Sequence, residues 1–270
     1  MTDMKALLTS YFLAGISAAG AKSTLPAVLP QSAPVGKTVS LGCGKAAAEM
    51  ADVAAHHLSG VVTGCVVTRH GHGVGRSIPG VAVIEARHPV PDDQSLEAGE
   101  RLLELALTAG PGDRVLFLIS GGGSSLLCAP ATGISFAEKQ AMTDHLVRSG
   151  APIQDINLVR RHLSRVKGGR LAAVAGARGA ELLTYVISDV ANDDPAADYP
   201  SAVLGLGATV VTNSREIAAD DFFVGLFETA LEDDEMDLGC VCIVMGGGAT
   251  SAAVWGGRSL LHIESLNVGG

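Results

Sequence analysis

The chain has 270 residues, enough for one large or two small domains with a substantial core, and its formal net charge of −9 argues against the clustered basic face of a nucleic-acid binder. Hydrophobic residues make up 47%, aromatics only 4%, and glycines number 34, a composition that points to an α/β fold with many turns and cores of Ala, Val and Leu. No run reaches the roughly 18 apolar residues of a membrane span, and Cys43, Cys65, Cys128, Cys240 and Cys242 lack C-x-x-C spacing, so they read as buried thiols of a reducing, cytoplasmic compartment.

Leu7, Leu8, Phe12 and Leu13 can share one helix face, which predicts a helix over residues 3–19, followed by a Pro-containing connection over 23–36. A signal peptide is the alternative for this apolar start, but Thr9, Ser10 and Tyr11 interrupt it. Strand 38–41, the Gly-rich turn GCGK at 42–45 and helix 46–58 come next. This plan sets Lys45 at the first turn of a helix, where backbone N–H groups and an ammonium point at the same anion, and its bland counterpart is a solvated lysine. A Walker A loop is excluded, because Lys45 is followed by Ala46 and the four-residue spacer is missing.

Strands at 65–68 and 81–85 end in RHGHGVG at 69–75 and ARHPVPDD at 86–93, loops rich in the residues that line sites. His70 and His72 without a nearby carboxylate or Cys partner in sequence make a weak metal signal. Asp92 or Asp93 is placed to cap a helix running to residue 109. The centre of the chain is RVLFLISGGGSSLLCAP at 114–130: a strand buried on both faces that stops at three glycines. Gly121, Gly122 and Gly123 allow a close backbone approach, and Ser120 and Ser124 add hydroxyls, so the turn suits an anion at the carboxyl end of a strand; a tight turn without ligand is the alternative.

Ser135 and Glu138 form a capping box for a helix to residue 149. In a predicted helix over 156–168, Asn157 precedes Arg160, Ser164 and Lys167 at roughly helical spacing, either a solvated basic face or a row of cations turned to a phosphate. Strand 182–187 ends in SDVANDD, which puts Asp189 where strand-end carboxylates hold Mg²⁺ or take a proton. From residue 200 the plan restarts with strand 208–212, a helix over 214–231, strand 240–245 and GGGATS at 246–251, which echoes the central glycines and predicts a second α/β lobe.

Six blocks in order resemble class II glycerate 2-kinases, the family with a glycerate kinase N-terminal domain and a MOFRL domain, some members of which carry a hydroxypyruvate reductase label. They are GCGKAAAEM at 42–50, VVTRHGHGV at 66–74, EARHPVPDDQSLEAG at 85–99, FLISGGGSSLLCAP at 117–130, the stretch 138–172 and VISDV at 186–190. The resemblance implies a Rossmann-like, mostly parallel sheet flanked by helices over 1–199 and a shortened MOFRL-like α/β lobe over 200–270. It also implies transfer of the γ-phosphoryl group of ATP to the 2-hydroxyl of D-glycerate with Mg²⁺. By motif, the phosphate-side lysine matches Lys45, the Gly-rich loop 120–124, and the strand-end aspartate Asp189, with Asp193 as a further metal ligand. His88 and Asp92 fall in a block bordering the substrate, while Asn157, Arg160 and Lys167 fall in a block bordering the nucleotide.

The chain departs from the pattern after residue 197, where the family's long helical connection is missing, and at Gly248, where the family has an acid. Arg258 is the remaining match for the cleft arginine. The expected partners are glycerate and a nucleotide, with a homodimer as the assembly and no membrane or nucleic acid. A shortened, non-catalytic homologue that binds nucleotide or anion is the second reading, and a nicotinamide-dependent reductase the third, disfavoured because no G-x-G-x-x-G with a following acid is present.

Overall fold

Strand β4 (Arg114–Ser120) is buried along its whole length. Its alternating side chains send Val115, Phe117 and Ile119 into one core and Leu116 and Leu118 into another. A strand with apolar residues on both faces needs layers on both sides, which is the α/β arrangement. The computed structural model describes residues 4–188, 208–213, 240–245, 250–256 and 259–266.

Strands β1 (Thr38–Cys43), β2 (Val62–Arg69), β3 (Val81–Ala86), β4, β5 (Glu181–Ser188) and β6 (Ala208–Asn213) form one parallel sheet in the order β3-β2-β1-β4-β5-β6. This is the doubly wound order, and the Rossmann-like expectation is met. On one face lie helices α2 (Ala21–Thr24) and α3 (Ala47–His57), with Leu25, Met50, Ala51 and Ala54 against Val66, Leu116 and Leu118. On the other lie α4 (Asp93–Thr108) and α8 (Arg170–Gly176), with Ala98, Leu102, Ala106, Leu171 and Ala175 against Val39, Leu41 and Phe117. Small residues on α3 and α4 let the helices sit close to the sheet. Gly99 on α4 allows a further close approach, to the segment after the central glycines, where a Cβ would lie 2.0 Å from the Cys128 carbonyl oxygen.

The helix starts agree with the sequence. Asp92 and Ser95 form a capping box on α4, and Ser135 and Glu138 form one on α6 (Phe136–Arg148). Each satisfies backbone N–H groups that would otherwise lack partners, worth about 1 kcal/mol per cap.

Two expectations change. The helix expected over 156–168 is α7 (Ile153–His162), which stops before Ser164 and Lys167. Past it, the Ser164 hydroxyl accepts from Val166 N–H and Lys167 N–H, and Ser164 bridges to Pro130. A serine side chain that captures backbone donors competes with the helix ladder and ends it. Lys167 therefore leaves the helical row predicted for it.

The second change concerns the end of the chain. β6, assigned by sequence to a second lobe beginning at 200, pairs with β5 and extends the parallel sheet. The chain divides into two compact units, residues 20–213 and residues 1–19 with 214–270. The second unit contains α1 (Met4–Ala19) and the strands β7 (Cys240–Met245), β8 (Thr250–Gly256) and β9 (Ser259–Leu266), which pair antiparallel. Thr250 and Ser251 open strand β8, whereas the central glycines lead into a short helix; residues 246–249 lie outside the described residues. The helix expected over 214–231 lies outside the described residues.

Candidate active site at the sheet's switch point

The chain leaves β1 toward β2 on one side and leaves β4 toward β5 on the other, so the segments following these adjacent strands diverge. A crevice at the carboxyl ends of the strands is the consequence, and ligands of open α/β sheets bind there. The two turns that bound it are Gly44 to Ala46 after β1 and Gly121 to Gly123 after β4.

These turns interlock. Lys45 N–H donates to Gly121 O at 2.8 Å, and Ala46 N–H donates to Ser120 Oγ at 2.9 Å. A Cβ on Gly44 would lie 2.2 Å from Ser120 Oγ, so only glycine admits this approach. Gly122 has φ of +85°, a left-handed conformation that favours glycine. A Cβ there would lie 3.1 Å from His88 Cδ2, 3.2 Å from His88 Nε2 and 3.2 Å from Lys45 Cε. Lys45, His88 and Gly122, assigned from three separate blocks of sequence, therefore meet at one point. Gly123 opens the short helix α5 (Gly123–Leu126) and packs against the Cys43 carbonyl and thiol.

The other assigned residues take different positions. Ser120 is buried and its hydroxyl accepts the Ala46 bond, so it ties the two turns together. Asp92 Oδ1 accepts from Ser95 N–H at 3.0 Å, and Oδ2 lies 3.4 Å from His70 Nε2. Burial pushes the Asp92 carboxyl up, but the hydrogen bonds from Ser95, Arg87 and His70 outweigh it and hold the carboxyl below its usual range. Asp92 is thus a helix cap that also touches His70, which lies 3.9 Å from Glu85 as well. Among the described residues no group of three metal-ligating side chains is present. Asp189, Asp193 and Arg258 lie outside the described residues.

A second set of cations surrounds Ser124. Lys167 is 2% exposed, and its Nζ donates to Ser124 O at 2.6 Å and to Leu127 O at 3.0 Å. Desolvation lowers its pKa to about 8, assisted by the positive charges of Lys139 and Arg160 and opposed by Cys43 and Cys128. Lys139 is 4% exposed, donates to Leu163 O, and burial likewise lowers its pKa. Arg160, on α7, adjoins the same small cavity, and Asn157 is buried one turn earlier on the same helix. Lys139 is absent from the sequence-derived candidates. Its only mark in the sequence is the neighbouring capping-box residue Glu138.

One further pattern was overlooked in the strict form of the dinucleotide motif. Gly42-Cys43-Gly44-Lys45-Ala46-Ala47 joins β1 to α3 and fits the looser G-x-G-x-x-A spacing. In that motif the second glycine admits the ligand's pyrophosphate. Here the space beside Gly44 is filled by Ser120, and β2 ends in Thr68 and Arg69 with no acid for a ribose.

A family model described as "Domain of unknown function (DUF4147)" matches residues 7–217. The chain belongs to that family. A protein of Agrobacterium vitis named "Putative hydroxypyruvate reductase" is 46% identical over 188 residues, 68% of this chain and 47% of that protein. The D-glycerate 2-kinase of Thermotoga maritima is 44% identical over 158 residues, 58% of this chain and 37% of that protein. A crystal structure of glycerate kinase (EC 2.7.1.31) from Thermotoga maritima aligns with a TM-score of 0.65 at 34% identity, covering 86% of this chain and 53% of that one. The resemblance to the glycerate 2-kinase family read from the six blocks is borne out, and the fold agrees with that structure. The chain spans less than half the length of these curated relatives.

Proposed function

We propose that the protein is an ATP-dependent kinase that transfers the γ-phosphoryl group to the 2-hydroxyl of D-glycerate, giving 2-phosphoglycerate. The observation that carries this reading is the meeting of Lys45, His88 and the left-handed Gly122 at the switch point. An ammonium and a glycine turn of this kind suit a phosphoryl group, whose transfer needs positioning and charge neutralisation and no covalent nucleophile. In this reading Lys45 neutralises the transferring phosphoryl, the 121–123 backbone cradles it, and His88 borders the hydroxy acid. Among the described residues no set of metal ligands is present; in this reading Asp189 and Asp193 would hold Mg²⁺, which would neutralise charge on the nucleotide phosphates.

Asp189 is assigned as the base for the glycerate hydroxyl, and Arg258 as a second cation. Asp189→Asn is then expected to bind Mg²⁺-ATP nearly normally and to turn over very slowly, as equilibrium binding beside a turnover assay would read; normal turnover would remove the assignment. The MOFRL-like character of the C-terminal part of the chain, a cytoplasmic location and a homodimer belong to the same reading.

A coupled ADP-release assay with D-glycerate, Mg²⁺ and ATP tests it. ADP should appear with 2-phosphoglycerate in equal amounts and only when glycerate is present. The G-x-G-x-x-A spacing and one relative's name favour a reductase as the second reading, against which stands the filled space beside Gly44. Consumption of NADH or NADPH with hydroxypyruvate, without ADP release from glycerate, would replace the kinase by the reductase. Nucleotide binding without either turnover would leave a binding protein.

A further inference from the structure

Lys139, Arg160 and Lys167 line one small cavity together with Ser124 and Thr143. They come from α6, α7 and the turn after α7, three separate segments. Among the described residues, no carboxylate pairs with any of the three. The nearby thiols do not supply the missing charge, since burial pushes Cys43 up to about 12 and raises Cys128 as well. Backbone carbonyls take two of the three N–H donors of Lys167 and one of those of Lys139. The Ser124 hydroxyl is buried with no partner, and so is the Asn157 side-chain oxygen one turn before Arg160. Unsatisfied polar atoms and uncompensated cations at this depth are costly to a fold unless something pairs with them.

We propose that this cavity is an anion subsite beside the Lys45 crevice that takes a compact monoanion through Lys139, Arg160, Lys167 and the Ser124 hydroxyl. The size limits the ligand. The cavity has about 10 Å³, room for a single water-sized atom and far too little for a phosphate group. Fluoride or one oxygen of a carboxylate fits that description. The cavity is also bounded by Pro91, in the loop that carries His88 and Asp92. A carboxylate arriving there would belong to a molecule lying along the substrate side of the crevice, and this choice of source rests on the proposed function. The site itself does not, because a solvent halide would occupy it in a protein of any activity.

The test compares the wild type with Lys139→Met, which keeps the length of the stem and removes the charge. Melting temperatures are measured in sodium fluoride and, separately, in halide-free sodium D-glycerate, with sodium sulfate holding the ionic strength. General salt effects act on both proteins and cancel in the difference. At a hundredfold excess over Kd, the occupied wild type should gain about 5 °C or more over the variant. A differential shift with fluoride alone identifies a halide site. A shift with glycerate that glycerol does not reproduce identifies the substrate carboxylate. No differential shift with either salt overturns the proposal. Arg160→Gln, altered at the rim of the cavity, serves the same comparison should Lys139→Met fail to fold. Lys45→Ala should retain the fluoride shift, so absent turnover with an intact anion response would count against the kinase reading alone.

Discussion

Lys45 and Lys167 reach the same short segment, yet their surroundings differ. Lys45 is partly exposed and meets Gly122 and His88 at the mouth of the crevice, with its backbone N–H on Gly121. Lys167 is buried, with its ammonium on the carbonyls of Ser124 and Leu127. The first is placed to act on a ligand, and the second holds the segment in place and is charged at a cost to folding. Residue type alone does not separate the two roles; depth does.

The largest expected effect separates them by activity. Lys45→Ala should lower turnover by on the order of a thousandfold while the melting temperature changes little, because the lost contact is to the phosphoryl group. An unchanged rate would take Lys45 out of the mechanism. Lys167 is broken by pH instead. Its folded pKa of about 8 lies below the ordinary 10.5, so its penalty is full below pH 8 and is relieved as pH rises to 10.5. Relative to Lys167→Met, the wild type should therefore gain on the order of 3 kcal/mol across that window, at about 1.4 kcal/mol per tenfold change in the equilibrium. Parallel denaturation curves for the two proteins from pH 7 to 11 would contradict this.

Gly122→Val sharpens the contrast from the loop itself. A side chain at φ of +85° is strained by about 1–3 kcal/mol, and it also intrudes on Lys45 and His88. Ligand binding should weaken by more than the stability loss accounts for, as calorimetric titration beside thermal melts would read; the reverse order would mark a turn with no ligand. The smallest effect is at Asp92. Asp92→Ala removes the α4 cap and should cost about 1 kcal/mol near neutral pH. Because the folded pKa is lowered, the wild-type advantage should fade as pH drops through the acid range, and an advantage that persists there would place the contribution elsewhere.

The sheet was readable because its strands are continuous apolar runs that stop at glycines, and the caps because Asp92, Ser135 and Glu138 sit at fixed offsets from helix starts. Lys45 and the central glycines were readable for the same reason, as punctuation at strand ends. Lys167 was read as a member of a helical row, and the structure instead places it in the turn after α7 with its ammonium on Ser124 O. The Ser164 hydroxyl ends that helix by a local bond, and serine is too common inside helices for its position to warn of it. Lys139 was unreadable, since its burial depends on α6 folding over residues 163–167, a contact far apart in sequence. The role of β6 was missed because a strand's partner is a tertiary fact, whereas its apolar pattern is a local one.

The interlock between the two turns has a consequence for motion. Lys45 N–H and Ala46 N–H both end on the β4 side, at Gly121 and Ser120, while the Lys45 carbonyl accepts from Thr68 Oγ1 on β2. Three strand ends are thereby laced together through two neighbouring residues, and the turns after β1 and β4 separate only if these bonds break. The two amide hydrogens of Lys45 and Ala46 become sentinels: their exchange with solvent deuterium reports the opening of the mouth as a whole. A ligand held by the 121–123 backbone should slow both by a similar factor, although neither amide needs to touch it.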